Sequence, residues 1–376
     1  MTSIALQSLV YEWRRFAPAA IAVAFSGLLV LLQAGLLLGI FSLASQYVTR
    51  SSADLWIGDP GVQSLDLGRP LGGPAETYAW MDGRVRRLEQ FLWGSGEWRT
   101  HDHGRVNVYI VGIDPRPDGM ALAGALTATQ RASLAEPDAV LIDRADLHKL
   151  QTKPGETGEI NGRFVRVVGV TEGLRALGGV NVIASLATTR LLDPAAGPDG
   201  RVAYLLAGLK RAKTAPAVAD ALNAQGRKRG FEALTAPDFA QRTTRYWLAE
   251  SGAGVAFIFG SVIAVLVAGV ITSQTLAAAV AASLREYAAL RALGFSMRAL
   301  RSIVLEQSAW VGAAGLVVAG ALTLAMSAAA HVGDIPVVLT LPMIAASAAL
   351  VLVTALGSGV LALRRVAQTD PAVLLL

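Results

Sequence analysis

Cysteine is absent from the 376 residues, and charge is scarce. Without a thiol the chain forms no disulfide, carries no thiolate nucleophile and offers no Cys-based zinc site. Charged residues make up 16% of the total, against about 25% in ordinary soluble domains. The patterns of common fuel and hydrolase chemistry are missing too. No GxxxxGK[ST] phosphate loop occurs, which excludes nucleotide hydrolysis by that route, and neither HExxH nor GxSxG is present. His101-Asp102-His103 is the one clustered ligand set; lacking a third well-spaced ligand it reads as a solvated turn. No catalytic, cofactor-binding or metal-binding residue is expected in this chain, and it is not expected to be an enzyme by itself.

What is there is apolar: 53% of residues are hydrophobic and the mean hydropathy is +0.48. The missing charge is concentrated in a few segments, the pattern of membrane spans beside a soluble domain. Pro18 to about Leu43 holds no charge and only one strongly polar side chain, Gln33. A secretory h-region runs about 7–15 residues, so this longer run reads as a permanent span. Ser251 to about Ala282 is again uncharged, and two further apolar runs cover about Ile303–Ala330 and Pro342–Leu363. The resulting division is an amphipathic helix at 1–17, spans at 18–43, 250–282, 302–330 and 342–363, a large domain at 44–249, a cytosolic segment at 283–301, a short external loop at 331–341 and a tail at 364–376. Residues 4–16 put Leu6, Leu9, Val10, Trp13 and Phe16 at helical spacing, as in a helix lying on the membrane surface; the alternative is an extension of the first span.

The pI near 9.7 follows from topology rather than nucleic-acid binding. Arg14, Arg15, Arg285, Arg291, Arg298, Arg301, Arg364 and Arg365 flank the spans, while the large domain nearly balances 25 basic residues with 22 acidic ones. All eight arginines fall on one side if both termini and the 283–301 segment share it, which places those three in the cytosol and the domain outside. Lys210, Arg211 and Lys213, and Arg227–Arg229, read as solvated surface, or as contacts for anionic lipid heads or an acidic partner. The spans lack the buried ionisable groups that ion-coupled carriers need; Glu306 near the start of the third span is the one acid close to hydrocarbon. With neither a fuel site nor an ion relay, any work must be driven by another protein.

In the large domain, 53–58, 105–113, 139–143, 164–170, 180–185 and 202–208 are β-rich and bounded by Gly, Pro or Asp. Helical patterns fall at about Glu76–Phe91, Thr127–Ala132, Pro216–Gln225 and Phe239–Glu250, giving an α+β domain. Asp238 can cap a helix running through Tyr246–Trp247 into the second span; if continuous, it joins domain and membrane as a rigid rod. Small residues repeat at four-residue spacing in two spans, at Gly260, Ala264 and Ala268 and at Gly315 and Ala319, which permits close helix approach or follows from alanine-rich composition alone.

The stretch that organises the chain is Ser283–Arg301, SLREYAALRALGFSMRALR, with Gly294 ending its first helix. A short helix between two spans is a lever: a partner that moves it moves both. Its core, Arg285-Glu286-Tyr287-Ala288-Ala289-Leu290-Arg291-Ala292-Leu293-Gly294-Phe295-Ser296, resembles the R-E-x-A-x-L-[KR]-A-[IL]-G-[FYA]-[ST] signature of ABC transporter permeases of the FtsX, MacB and LolC/LolE type. The order of one span, a large external domain and three more spans is similar to that of the family. Arg364-Arg365 with Asp370-Pro371 resembles its C-terminal ending, although Leu374-Leu375-Leu376 lacks the usual basic residue. Gln33 and the SSADLWIGDPG segment resemble the DevC-like branch most closely.

The resemblance implies a four-span α-helical membrane protein with one α+β external domain, of the MacB/FtsX-like type VII class. It implies a bacterial inner-membrane permease that couples hydrolysis by a separate ABC ATPase subunit, where ATP and Mg bind, to export or extraction of a lipid or other amphiphile by mechanotransmission to its periplasmic domain. A second permease copy in a homodimer and a periplasmic adaptor are the further implied partners, with no role for nucleic acid. The implied ATPase contacts are Glu286, Leu290, Leu293 and Gly294, with Arg285 and Arg291 pairing to acids at a groove rim and Ser296 closing the motif. Those arginines also serve as topology anchors. The alternatives are an FtsX-like regulator that switches on an envelope enzyme without cargo, and a stand-alone receptor with no ATPase.

Overall fold

In the computed structural model, residues 11–283, 286, 289–290, 293–332 and 335–367 are described, the side chains of 276 and 360–367 excepted. The expected surface helix at 4–16 lies largely outside these residues, as do Arg285, Arg291 and the tail from 368. The chain divides into two units, residues 1–39 with 256–376, and residues 40–255.

The first unit is helical. Four helices are long and apolar enough to cross a membrane: α1 (Trp13–Thr49), α7 (Gly252–Ala282), α8 (Met297–Val332) and Leu341–Gly359 of α9 (Leu341–Ala367). At 1.5 Å per residue, α1 extends about 55 Å, well beyond a hydrocarbon core of about 30 Å. Between α1 and α8 the small-residue spacing has a use: a Cβ on Gly315 would stand 2.6 Å from Val23 Cγ1, and one on Gly27 only 2.9 Å from Ala319 Cβ. The same spacing in α7 behaves differently, because Gly260 faces open space while Ala268 is buried. Polar groups inside this unit find one another. Thr272 Oγ1 donates to Ser26 Oγ at 3.0 Å, Ser26 Oγ donates to the Ala268 carbonyl at 3.1 Å, and Gln33 Nε2 donates to Ser261 Oγ at 3.2 Å. Hydrocarbon offers no alternative partner, so these bonds hold α1 against α7 in register.

The second unit is built on nine strands: β1 (Leu55–Gly58), β2 (Val85–Arg99), β3 (Arg105–Ile113), β4 (Ala139–Asp143), β5 (Thr157–Ile160), β6 (Arg163–Thr171), β7 (Val180–Ser185), β8 (Tyr204–Leu209) and β9 (Glu232–Thr235). Their order is β3-β7-β4-β6-β5-β2-β8-β1-β9, with β2 also pairing β3. Six strands therefore close on themselves through β2, and the other three continue from it as an antiparallel sheet. The long strand β2 belongs to both: residues 85–91 pair with β8, and residues 92–99 pair with β3.

Strand alternation sorts the core into layers. Leu55 and Ile57 of β1 face α2 (Pro74–Met81) and α5 (Ala215–Gly226), packing with Ala79, Val218 and Phe231. Trp56 between them faces the other way, against Phe91, Tyr204 and Phe239 at ring separations of 5.2, 5.7 and 5.8 Å. Inside the closed strands lie Trp98, Ile110, Val140, Ile142, Val165 and Val182. Three longer helices, α3 (Ala128–Ser133), α4 (Leu186–Leu192) and α6 (Ala236–Arg245), and shorter turns such as Leu147–Leu150 complete the unit.

Three expectations are corrected. The helical pattern over Glu76–Phe91 is split: α2 stops at Met81, and β2 starts at Val85. Asp82 makes the turn, its Oδ1 accepting the Arg84 amide at 2.9 Å, and pairing with β8 overrides the helical spacing of residues 85–91. The cap of α6 is Thr235, whose Oγ1 accepts the Asp238 amide, with Asp238 three residues inside. Nor does α6 run unbroken into the second span. It passes into a π-helical turn at Tyr246–Glu250 and stops at Ser251, which is extended (φ −79°, ψ 143°). Ser251 Oγ then accepts the Gly254 amide at 3.0 Å, capping α7 as a new helix. The join is hydrogen-bonded but is no continuous rod.

Candidate functional site

Gly294 sets the geometry of the segment between the second and third spans. Its φ of +93° is accessible to glycine without strain. The Phe295 amide reaches back to the Leu290 carbonyl at 3.1 Å, and the Leu293 amide to the Ala289 carbonyl at 3.0 Å. A left-handed glycine with the following amide bonded five residues back is the Schellman ending of a helix. Ser296 starts the next one: its Oγ accepts the Ala299 amide at 3.3 Å and its carbonyl accepts the Leu300 amide at 3.1 Å. Two helices thus meet at a turn of three residues.

The expected contact residues do not share one environment. Leu290 is half-buried and packs with Val280, Leu300 and Val304, so it serves the local core. Leu293 is 77% exposed, and Phe295 beside it is 40% exposed. The turn therefore presents two exposed apolar side chains, one on each side of Gly294. Phe295 was not among the residues expected from sequence to contact a partner; its place directly after the helix-ending glycine is the signal that could have found it. Glu286 accepts from Arg15 Nη1 at 2.5 Å, and Arg15 also reaches Glu12 at 2.5 Å and Ser283 Oγ at 3.3 Å. The start of α1 is tied to this segment by that pair, a link hidden in the sequence by a separation of 271 residues. With both side chains partly exposed, the pair contributes about 0–1 kcal/mol and acts mainly as a positional tie.

His101, Asp102 and His103 form the tip of the β2–β3 hairpin. Thr100 Oγ1 donates to Asp102 Oδ1 at 2.5 Å, and Arg99 Nη2 lies 3.5 Å from His103 Nδ1. Among the described residues no group of three His, Cys, Asp or Glu side chains is placed to hold a metal ion.

Four apolar helices with an α+β domain inserted between the first and second define a multi-span membrane protein with a large extramembrane domain. Residues 258–371 match the family described as FtsX, FtsX-like permease C-terminal. The match is to the family as a whole and names no branch of it. Similar solved structures include the periplasmic region of MacB from Actinobacillus actinomycetemcomitans, at 15% identity over 52% of this chain and 94% of that chain, with a TM-score of 0.35. Another is the extracellular domain of the noncanonic ABC-type transporter YknZ from Gram-positive bacteria, at 16% identity over 49% of this chain and 100% of that chain, with a TM-score of 0.33. Scores this low say nothing about function. A comparison with curated proteins returned no match.

Proposed function

We propose that this chain is the membrane subunit of an ABC exporter and that Ser283–Arg301 receives the stroke of a separate ATPase subunit. The observation that carries the reading is the turn between the second and third spans. In the region matching the permease family, an ordered helix end holds Leu293 and Phe295 out of the local core. Paired apolar side chains on a short turn fit a groove on a partner, and Arg285, Glu286 and Arg291 supply charge at its rim. Two such chains around a two-fold axis, each with its ATPase, make the simplest closed assembly. Both termini and the turn then lie in the cytosol of a bacterial inner membrane, with residues 44–249 in the periplasm beside an adaptor. The cargo is a lipid or other amphiphile, as the DevC-like likeness suggests. Because Ser251 separates α6 from α7, motion of the second span reaches the domain through a capped joint, which favours rotation over a straight push.

The test is ATPase stimulation and co-purification with the partner ATPase in nanodiscs. Leu293→Asp and Phe295→Asp are expected to cut both about tenfold or more while leaving the melting temperature unchanged. Leu290→Asp disturbs the Val280–Leu300–Val304 cluster as well and is the less specific probe. Undiminished stimulation in both exposed-site variants overturns the coupling role, and the absence of any co-purifying ATPase favours a stand-alone receptor.

A further inference from the structure

The two cationic runs of the large domain, Lys210–Lys213 and Arg227–Arg229, end in different surroundings. The second is engaged locally. Arg227 lies 3.6 Å from the Glu232 carboxylate, and the Arg229 guanidinium covers the Tyr78 ring at 4.3 Å. The first run is not engaged. Lys210, Arg211 and Lys213 are exposed in the turn between β8 and α5, and Arg86 is exposed near the start of β2. Among the described residues, none of these four side chains lies within 4.0 Å of a carboxylate.

The fold sets these cations beside an apolar pair. The Lys210 amide donates to the Arg84 carbonyl at 2.9 Å, and Val85 pairs with Leu209, so the turn after β8 and the turn before β2 are neighbours. The second of these turns follows the last residues of α2, Trp80 and Met81, which are 50% and 72% exposed. The carboxylates at this end have other partners: Asp82 holds Arg84 at 2.6 Å, Asp118 holds Arg87 at 2.8 Å, and Asp54 accepts the Leu209 amide at 2.7 Å. What is left over is positive charge around two exposed apolar side chains. Cations alone read as a solvated face. A Trp and a Met held out among them make an apolar centre with a charged rim, the composition of a protein interface.

Placement and charge select the occupant. Leu43 and Tyr47 of α1 and Trp247 of the π turn, through which the domain joins its spans, lie beside Leu65. The Leu65 carbonyl accepts from the Tyr204 hydroxyl at 2.7 Å. Tyr204 opens β8 and Leu209 closes it, so the cationic turns stand about 17 Å further along the strand. That distance from the connections to the spans disfavours a lipid surface. A second copy docked on this face by a two-fold axis sets cation against cation. A protein with carboxylates around an apolar recess matches both the charge and the pair it surrounds.

We propose that the end of the sheet formed by the α2–β2 and β8–α5 turns docks an acidic partner protein. Trp80 and Met81 enter an apolar recess on it, and Lys210, Arg211 and Lys213 pair with the carboxylates around that recess. The surface belongs to residues 40–255 alone and does not rest on the exporter reading.

The test starts in cells of the native host, with Trp80 of the full chain replaced by the photocrosslinker p-benzoylphenylalanine. The protein captured on irradiation is identified by mass, and the peptide joined to position 80 is sequenced. That protein is then purified and titrated against the full chain in phosphatidylcholine nanodiscs. The crosslinked peptide is expected to be rich in Asp and Glu, and affinity to fall at least tenfold between about 50 and about 300 mM salt. A variant combining Lys210→Glu, Arg211→Glu and Lys213→Glu is expected to bind at least tenfold more weakly at an unchanged melting temperature. Trp80→Ala with Met81→Ala, which leaves the charge alone, is expected to weaken binding about tenfold while keeping the salt dependence; it serves as the second probe if charge reversal lowers the melting temperature. The photocrosslinker at Leu191, 48% exposed on α4, is the control and is expected to miss this partner. Several outcomes overturn the proposal: no protein adduct, an adduct only to lipid or to a second copy of this chain, the same adduct from Leu191, or binding indifferent to salt and to both variants. Leu293→Asp is expected to leave this binding intact, so the docking surface and the ATPase coupling fail separately.

Discussion

Glu232 shows how a single side chain ties α6 to the sheet. It is 5% exposed on β9 and accepts from Arg242 Nη1 and Nη2 at 3.1 and 3.3 Å and from the Gly61 amide at 2.9 Å, with Arg227 at 3.6 Å. Burial pushes its carboxyl up, but the Arg242 and Gly61 hydrogen bonds and the two arginine charges outweigh that, leaving it below the ordinary glutamate value of 4.5. A depressed folded value means that the unfolded chain binds the proton more readily. The stabilisation is therefore complete above about pH 4.5 and is lost as pH falls through the lower folded value. Glu232→Gln is expected to cost about 1–3 kcal/mol at pH 7, with the gap to wild type closing below pH 4.5, as read by melting the full chain at a series of pH values. A gap that stays constant with pH contradicts the ion-pair account. Glu89 has the opposite sign. Burial raises its carboxyl despite the Met120 and Ala121 amides and the Arg131 charge, so its contribution falls as pH rises above the ordinary glutamate value.

At the scale of the element, β2 is where sequence reading and structure part. The six β-rich runs of the domain all became strands because each carries its own β-branched or aromatic run between turn residues. In β2, Val85, Leu88 and Leu92 fall at helical spacing as readily as on a strand, and only the pairing with β8 and β3 decides, through residues more than a hundred positions away in the case of β8. The strands β5 and β9 escaped notice for another reason: with four residues each they are too short to show a period. Gly294, the helix-ending residue in the candidate site, was legible because a left-handed turn needs glycine, whereas the burial of Leu290 and the Arg15–Glu286 tie depend on distant chain and were not. The double role of β2 makes its far end sensitive. Trp98 is 1% exposed inside the closed strands, and its Nε1 donates to the Leu150 carbonyl at 3.1 Å. Trp98→Ala is expected to cost about 3–5 kcal/mol through the cavity it leaves. Because Trp56 and its ring partners lie in a separate layer, hydrogen exchange is expected to rise in β3, β5 and β6 well before β1 and β8. Equal loss of protection in all strands argues against two separable layers.

For the whole molecule, the absence of cysteine turns into an instrument. Every position made cysteine reports alone, so sidedness can be read without a background to remove. The proposed topology, which rests on the arginine distribution, has the turn after the second span and both termini on one face and the large domain on the other. Asp102 sits at the exposed tip of the β2–β3 hairpin, and Arg298 is exposed at the start of α8. In right-side-out vesicles, Asp102→Cys is expected to react with a membrane-impermeant maleimide at once, and Arg298→Cys only after permeabilisation. Both sites lie in water under either orientation, so reactivity after permeabilisation confirms that each thiol is free to react and leaves the membrane as the one barrier being measured. Labelling of Arg298→Cys from outside reverses the topology. The ATPase reading falls with it, since no ATP-driven partner could then reach Leu293 and Phe295.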